Sequence, residues 1–133
     1  MPLSARSGTR GEATGFPTAT EVREALSAIS TTDEQRAMLD AHRSAPDHIM
    51  TATELARAGG YDSHVSANSQ YGKLGRKLAE EMEWSPPQFK GVPVWTYALA
   101  TGVDNDVGAE ENPLEIGHWR WRLRPEIVDA LQG

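Results

Sequence analysis

The residues of this chain best suited to contacting a partner lie in two short segments. The first segment, 64–77, carries small polar side chains and three cations: His64, Ser66, Asn68, Ser69, Gln70, Tyr71, Lys73, Arg76 and Lys77. The second segment, 117–125, carries Arg120, Arg122 and Arg124 and no acidic residue. Amides and hydroxyls can hydrogen-bond to base edges, and lysine and arginine can contact phosphates. We therefore take these residues as candidate nucleic-acid contacts.

A long helix is needed to position the first segment. Between residues 65 and 84 the apolar residues recur at helical spacing and form one stripe: Ala67, Tyr71, Leu74, Leu78 and Met82. We predict a helix over about 66–82, with Ser63 or Ser66 as its cap. Its first turn would hold Asn68, Ser69 and Gln70, where a recognition helix contacts bases. The alternative is a core helix with an ordinary solvated face.

Capping signals predict three shorter helices before this one. They are a first helix near 20–29, a second that starts from a capping box of Thr31 with Glu34, and a third over about 51–60. The dipeptide Gly59-Gly60 ends the third helix. A short helix, a glycine turn and a longer helix are typical of a helix-turn-helix, although residues 61–65 lengthen the turn.

Two segments after the long helix alternate in the manner of β-strands. Residues 92–99 would place Trp95, Tyr97 and Leu99 on one face, and residues 117–124 would place Trp119, Trp121 and Leu123 on one face and the arginines on the other. A short strand near 47–50 and a terminal helix from Pro125 complete the expected elements.

The fold class that follows is α+β and winged helix-turn-helix-like. The helices are followed by a two- or three-stranded antiparallel wing and a short C-terminal helix. Residues 1–18 are rich in Ser, Gly and Thr, so we expect a flexible tail there and a single domain over 19–133.

The charge distribution has two interpretations. The net charge is −6, which argues against a nucleic-acid partner, but the acids concentrate in 103–116 and leave the two cationic segments free of them. Alternatively, the strand arginines pair with that acidic loop and form a solvated face. The four tryptophans similarly divide between core residues and a stacking surface for a base.

No pattern of catalysis or metal binding is present in the sequence. It has no cysteine, and its histidines lack the spacing of HExxH. It also lacks G-x-S-x-G, a P-loop and GxGxxG. We therefore expect a protein without enzymatic activity, cofactor or metal. The lack of a long apolar run or an apolar leader predicts a cytoplasmic protein that does not enter membranes.

Four motifs together resemble a family of small winged-helix-like bacterial domains. They are T-A-T-E-L-A-R-A-G-G-Y, S-A-N-S-Q-Y-G-K-L-G-R-K-L-A-E, P-V-W-T-Y and H-W-R-W-R-L-R-P-E, within residues 32–131. Such domains are frequent in actinomycetes and occur alone or beside HNH-type nuclease domains, and at least one stand-alone member reads 5-methylcytosine in DNA. The nuclease half is absent from this sequence, so the resemblance implies binding without cleavage.

We therefore expect a nucleoid-associated reader of 5-methylcytosine in duplex DNA. The methyl group would meet Tyr71 and Ser69 in the major groove, or the base would flip into an aromatic pocket built from Trp95. A homodimer through the first two helices would double the contacts. Two alternatives remain: a transcriptional regulator indifferent to methylation, and a protein-interaction adaptor on a winged-helix scaffold.

Overall fold

The long helix predicted from the apolar stripe forms the centre of the fold. A computed structural model describes residues 15–103 and 112–132. Within that part of the chain, five α-helices and a small antiparallel sheet make an α+β structure, which agrees with the predicted class. The stripe residues Tyr71, Leu74 and Leu78 are fully buried, so this face contributes to the core as expected.

The helices follow the capping signals closely. They are α1 (Ala19–Ala28), α2 (Asp33–Ser44), α3 (Ala52–Gly59), α4 (His64–Met82) and α5 (Pro125–Gln132). Thr18 and Thr51 cap α1 and α3, and each forms a reciprocal capping box, with Glu21 and Glu54 respectively. The box of α2 lies one residue later than predicted, because Thr32 pairs with Gln35. Gly60 ends α3 in the left-handed conformation at φ 79°, which glycine adopts without a steric penalty.

The strands are shorter than predicted. β1 (Ile49–Thr51), β4 (Ala100–Gly102) and β5 (Arg120–Leu123) form an antiparallel sheet in the order β1-β5-β4. β2 (Gln88–Phe89) and β3 (Val92–Pro93) form a separate hairpin. Alternation in β5 is as predicted: Trp121 and Leu123 are buried, whereas Arg122 is exposed.

The prediction of a continuous strand over 92–99 is wrong. Residues Trp95–Ala98 form a 3-10 helix that packs against α4. The backbone carbonyl of Trp95 lies so close to Gly75 that a Cβ added there would be 2.2 Å from its oxygen. Residues 95–98 therefore do not pair with β5, because the backbone turns over α4 instead of extending along that strand.

The chain before α1 belongs to the core, contrary to the predicted tail boundary at Thr18. Phe16 is 3% exposed and meets the Trp84 ring edge-on at 4.9 Å between centroids. The Trp84 indole N–H donates to the carbonyl of Gly15. Residues 15–18 are therefore ordered by α4 and its C-terminal turn, and the rest of the predicted tail lies outside the described residues.

Candidate nucleic-acid interface

The first half of α4 presents a narrow solvent-facing row. Ser63 caps the helix by accepting from the backbone N–H of Ser66. The exposed side chains of the row begin with the adjacent Val65 and Ser66 and then recur every three or four residues, at Ser69, Lys73 and Arg76. Ser66, Ser69 and Lys73 are thus accessible to a partner.

Two residues expected to contact bases are buried instead. Asn68 is 3% exposed, and its amide Nδ2 donates to the Leu114 carbonyl at 2.9 Å. Tyr71 is fully buried with its hydroxyl 2.8 Å from His42 Nδ1. Neither side chain offers surface to a groove, so the prediction that Tyr71 meets the methyl group in the major groove is wrong.

His42 fixes that tyrosine in a specific hydrogen-bonding arrangement. Its Nε2 lies 2.9 Å from the Trp121 carbonyl, an acceptor, so Nε2 carries the proton and Nδ1 accepts from the Tyr71 hydroxyl. Burial lowers the pKa of His42 to about 4, although the Trp121 hydrogen bond acts in the opposite direction. Burial likewise raises the pKa of the Tyr71 hydroxyl. The pair is neutral and structural.

Three further polar side chains of α4 make contacts within the protein. The Gln35 amide donates to the backbone and side-chain oxygens of Gln70. Lys77 donates to the Ser30 carbonyl at 2.9 Å. Arg76 pairs with Glu80 at 3.0 Å, and its guanidinium lies 5.3 Å from the centre of the Trp95 ring. Of the predicted cations in α4, Lys73 is the most available to a phosphate.

The returning half of the β4–β5 connection crosses the start of α4. Gly117 accepts from the backbone N–H and the hydroxyl of Thr53 in α3, both at 3.0 Å. A Cβ added at Gly117 would lie 3.1 Å from Nδ1 of His64, which is half-buried. Together with the Asn68–Leu114 hydrogen bond, these contacts hold residues 112–117 beside the N-terminal end of α4.

The three arginines of the second segment have different environments. Arg124 donates from Nε to the Tyr97 carbonyl at 2.7 Å and lies 4.1 Å above the Phe16 ring. Burial lowers the pKa of Arg124, with Glu126 opposing the shift. Arg122 is exposed and lines a surface groove with Asp47 and Asp129, whereas Arg120 is half-buried. The expectation that Arg124 contacts DNA is contradicted by this packing.

A surface pocket of about 220 Å³ lies between the exposed row of α4 and the 93–96 segment. We call it the Trp95 pocket, and its lining consists of Asn68, Ser69, Gly72, Lys73, Arg76, Pro93, Trp95, Thr96 and Leu114. Two buried oxygens of this lining, Asn68 Oδ1 and Thr96 Oγ1, have no hydrogen-bond partner among the described residues. Buried polar atoms are rarely left in this state.

Several of these residues are not evident from the sequence. Val65 is 58% exposed at the start of α4, and an apolar residue there was not singled out. Thr96 and Gly72 reach the pocket through the packing of the 3-10 helix on α4, which no local pattern predicts. Trp95 was identified from its residue type, and the structure places it beside Arg76.

The structure tests the expectations about metal ions and membranes only for the residues that it describes. There, no three His, Asp or Glu side chains lie close enough to hold a metal ion. Within the same ranges, none of the helices has the length and apolar character needed to cross a membrane.

Comparisons with known proteins add no identification. No protein-family model, no curated protein and no solved structure matches the chain.

Proposed function

We propose that this protein binds duplex DNA through the exposed row of α4, without catalysing a reaction, and that it prefers 5-methylcytosine. The observation that carries the proposal is the row itself: Ser66, Ser69 and Lys73 face solvent in the first half of a long helix that follows a short helix and a glycine turn. Hydroxyls and a cation at these positions suit base edges and phosphates.

The order of elements supports a winged-helix interpretation. β1 lies between α2 and α3, and α3 and α4 make the helix-turn-helix, followed by β4 and β5. The sheet order β1-β5-β4 makes β5 the central strand, and the β4–β5 connection is the wing. Residues 112–117 of that connection lie beside the start of α4, where a wing would flank the same stretch of DNA.

The preference for the methylated base is supported by the family resemblance and by two surface features. Val65 presents an apolar side chain at the start of the exposed row, where a C5-methyl group in the major groove could pack against it. Trp95 presents an aromatic wall at the other end of the row, beside Arg76. Ser69 lies between them and is exposed, as expected for a base contact.

The remaining expectations belong to the same proposal. The protein would act as a cytoplasmic, nucleoid-associated homodimer in which α1 and α2 meet their counterparts. The exposed residues of these helices are mainly charged and polar, including Arg23, Glu24, Arg36 and Asp40. Such a surface favours a reversible dimer formed on DNA over a permanent one.

The test is a competition between two duplexes of one sequence, with and without 5-methylcytosine, measured by fluorescence anisotropy from low to high salt. We expect tighter binding to the methylated duplex and a steep loss of affinity with salt, since Lys73 and its neighbours would displace counterions. Equal affinities would leave a DNA-binding regulator indifferent to methylation.

An adaptor that binds proteins is the second candidate, and the net charge of −6 favours it. In that case Arg122 and the half-buried Arg120 would meet acidic partners, and no duplex would bind at any salt concentration. Failure of both duplexes in the titration therefore rejects the DNA proposal as a whole.

A further inference from the structure

We infer that the Trp95 pocket is a binding site for a single nucleobase that carries an exocyclic amine beside a ring nitrogen, as in cytosine or adenine. This inference rests on the proposed function, because it assigns a base-reading role to a pocket beside the DNA-facing row. The pocket combines an aromatic wall, a cationic rim and two buried oxygens that have no partner in the part of the chain that the structure describes.

The orientation of the Asn68 amide is fixed by its neighbour. The Leu114 carbonyl can only accept, so the atom 2.9 Å from it is the amide nitrogen Nδ2. Oδ1 therefore points away from Leu114, is buried, and has no partner in the described part of the chain. This oxygen is an acceptor that requires a donor, and an exocyclic amine supplies one.

The Thr96 hydroxyl complements that acceptor. Thr96 is a fully buried residue of the lining, and its Oγ1 likewise meets no partner within residues 15–103 and 112–132. A hydroxyl can donate to a ring nitrogen that lies next to an amine. One acceptor and one donor would thus read the Watson–Crick edge of cytosine or adenine, which is how extruded bases are identified.

The size and charge of the pocket point to a base attached to a phosphate. Its volume of about 220 Å³ falls below the roughly 300–1,000 Å³ of sites for drug-sized ligands, which suits one flat ring. Trp95 lines the pocket with an aromatic ring, over which the Arg76 guanidinium lies at 5.3 Å, so a base would stack on the other ring face. Lys73 stands exposed at the rim, where a phosphate would follow the base. No acidic side chain is among the described residues of the lining.

Gly72 and Gly75 show how α4 makes room for this ligand. At Gly75 the helix meets the Trp95 backbone directly, which sets the position of the indole. One turn earlier, a Cβ at Gly72 would meet only Thr96 Oγ1, at 3.7 Å, so the space in front of Gly72 belongs to the pocket. Helix α4 and the 3-10 helix are therefore in contact at Gly75 and separated at Gly72.

Two variants test the site without threatening the fold. Thr96→Val keeps the side-chain shape and removes a buried hydroxyl that has no partner among the described residues, so its melting temperature should equal or exceed that of the native chain. Gly72→Ala adds a methyl group inside the pocket at an ordinary contact distance and favours the helix. Thr101→Val in β4, which does not line the pocket, is the matched control.

The experiment measures the affinity of the native chain and these variants for four probes. The first probe is a duplex with a fluorescent cytosine analogue at the position of the 5-methylcytosine. The others are the matching single strand, the same duplex with an abasic site at that position, and cytidine 5′-monophosphate. We expect the analogue to brighten on binding as it leaves the stack. Thr96→Val should weaken binding of the analogue duplex about fivefold, the loss of one net hydrogen bond, whereas Thr101→Val should not.

The outcomes separate the inference from the function on which it rests. Duplex binding without brightening, and with equal affinities for native and Thr96→Val chains, overturns the pocket and leaves DNA binding in place. Binding of the single strand or of the mononucleotide alone, weakened by Thr96→Val, supports the pocket and overturns duplex recognition. Failure of all four probes overturns both proposals.

Discussion

The two cationic segments each carry three lysine or arginine residues, but these residues are placed differently relative to the core. In α4 the cations project from a helix whose other face is buried, and Lys73 and Arg76 border an open pocket. β5 is central in the sheet, and Arg124, just after it, lies over the rings of Phe16 and Trp84. The comparison indicates that α4 leaves Lys73 accessible to a partner, whereas the second segment uses Arg124 to hold the N-terminal residues.

Different backbones explain this difference. A helix with one apolar stripe leaves most of its polar faces in solvent, so a short basic run stays accessible. A central strand has neighbours on both edges and alternates its side chains between two faces, one of which is covered. Arg122 therefore remains exposed while Arg124, beyond the strand, turns inward to reach the Tyr97 carbonyl.

The largest expected effect concerns His42, which hydrogen-bonds to both α4 and β5. Its pKa in the folded chain is about 4, below the ordinary histidine pKa of about 6.5, so the unfolded chain takes up a proton first as the pH falls. The free energy of unfolding should therefore fall by about 3 kcal/mol between pH 6.5 and pH 4. Urea denaturation across this range measures the decrease.

His42→Gln is the control for that pH dependence, because glutamine does not titrate. Its stability should be lower at pH 7, since the hydrogen bonds to Tyr71 and Trp121 are altered. Its stability should also fall less steeply toward pH 4 than that of the native chain. Parallel pH profiles for the two proteins would show that His42 is not the titrating link between the two segments.

The next effect distinguishes the two glycines of α4. Gly75→Ala should lower the free energy of unfolding by about 2 kcal/mol, because its methyl group meets the Trp95 carbonyl and overpacking outweighs the gain in helix propensity. Gly72→Ala should instead raise stability, by up to about 1 kcal/mol. Thermal and urea denaturation provide the comparison. Equal effects at both positions would mean that the 3-10 helix does not press on α4 at Gly75.

The third effect separates the arginines of the second segment. Arg124→Met should lower the free energy of unfolding by about 1.5 kcal/mol, since the Tyr97 carbonyl loses a charged donor. Arg122→Met changes an exposed position of β5, two residues earlier, and should alter stability by less than about 0.5 kcal/mol. A DNA affinity that falls in proportion for both variants would show that Arg124 contacts the partner after all.

Local signals predicted the helices well. The capping boxes at Thr18 and Thr51 and the left-handed Gly60 involve residues within one turn, so the sequence contains all of their partners. The apolar stripe of α4 is also a local pattern. The α2 cap was misplaced by one residue because Thr31 and Thr32 compete for the same role, and each has a capping partner three residues later.

The site was harder to predict because its geometry depends on distant contacts. Asn68 has the residue type and position of a groove contact, yet its side chain is buried and donates to the carbonyl of Leu114, 46 residues away. The alternation of Trp95, Tyr97 and Leu99 suggested a strand, but Gly75 accepts the Trp95 backbone and a 3-10 helix results. The acidic residues between Asp104 and Glu111 lie outside the described residues.

The smallest expected effect concerns the affinity for DNA, and it compares a cation of α4 directly with a cation of β5. Lys73→Ala should weaken all duplexes alike by about three- to tenfold and reduce the salt slope by about one, because one phosphate contact is lost. Arg122→Ala should have a smaller effect, since that cation shares its groove with Asp47 and Asp129. Anisotropy titrations at several salt concentrations measure both. A larger loss for Arg122→Ala would reverse the comparison and place the principal phosphate contact on the sheet.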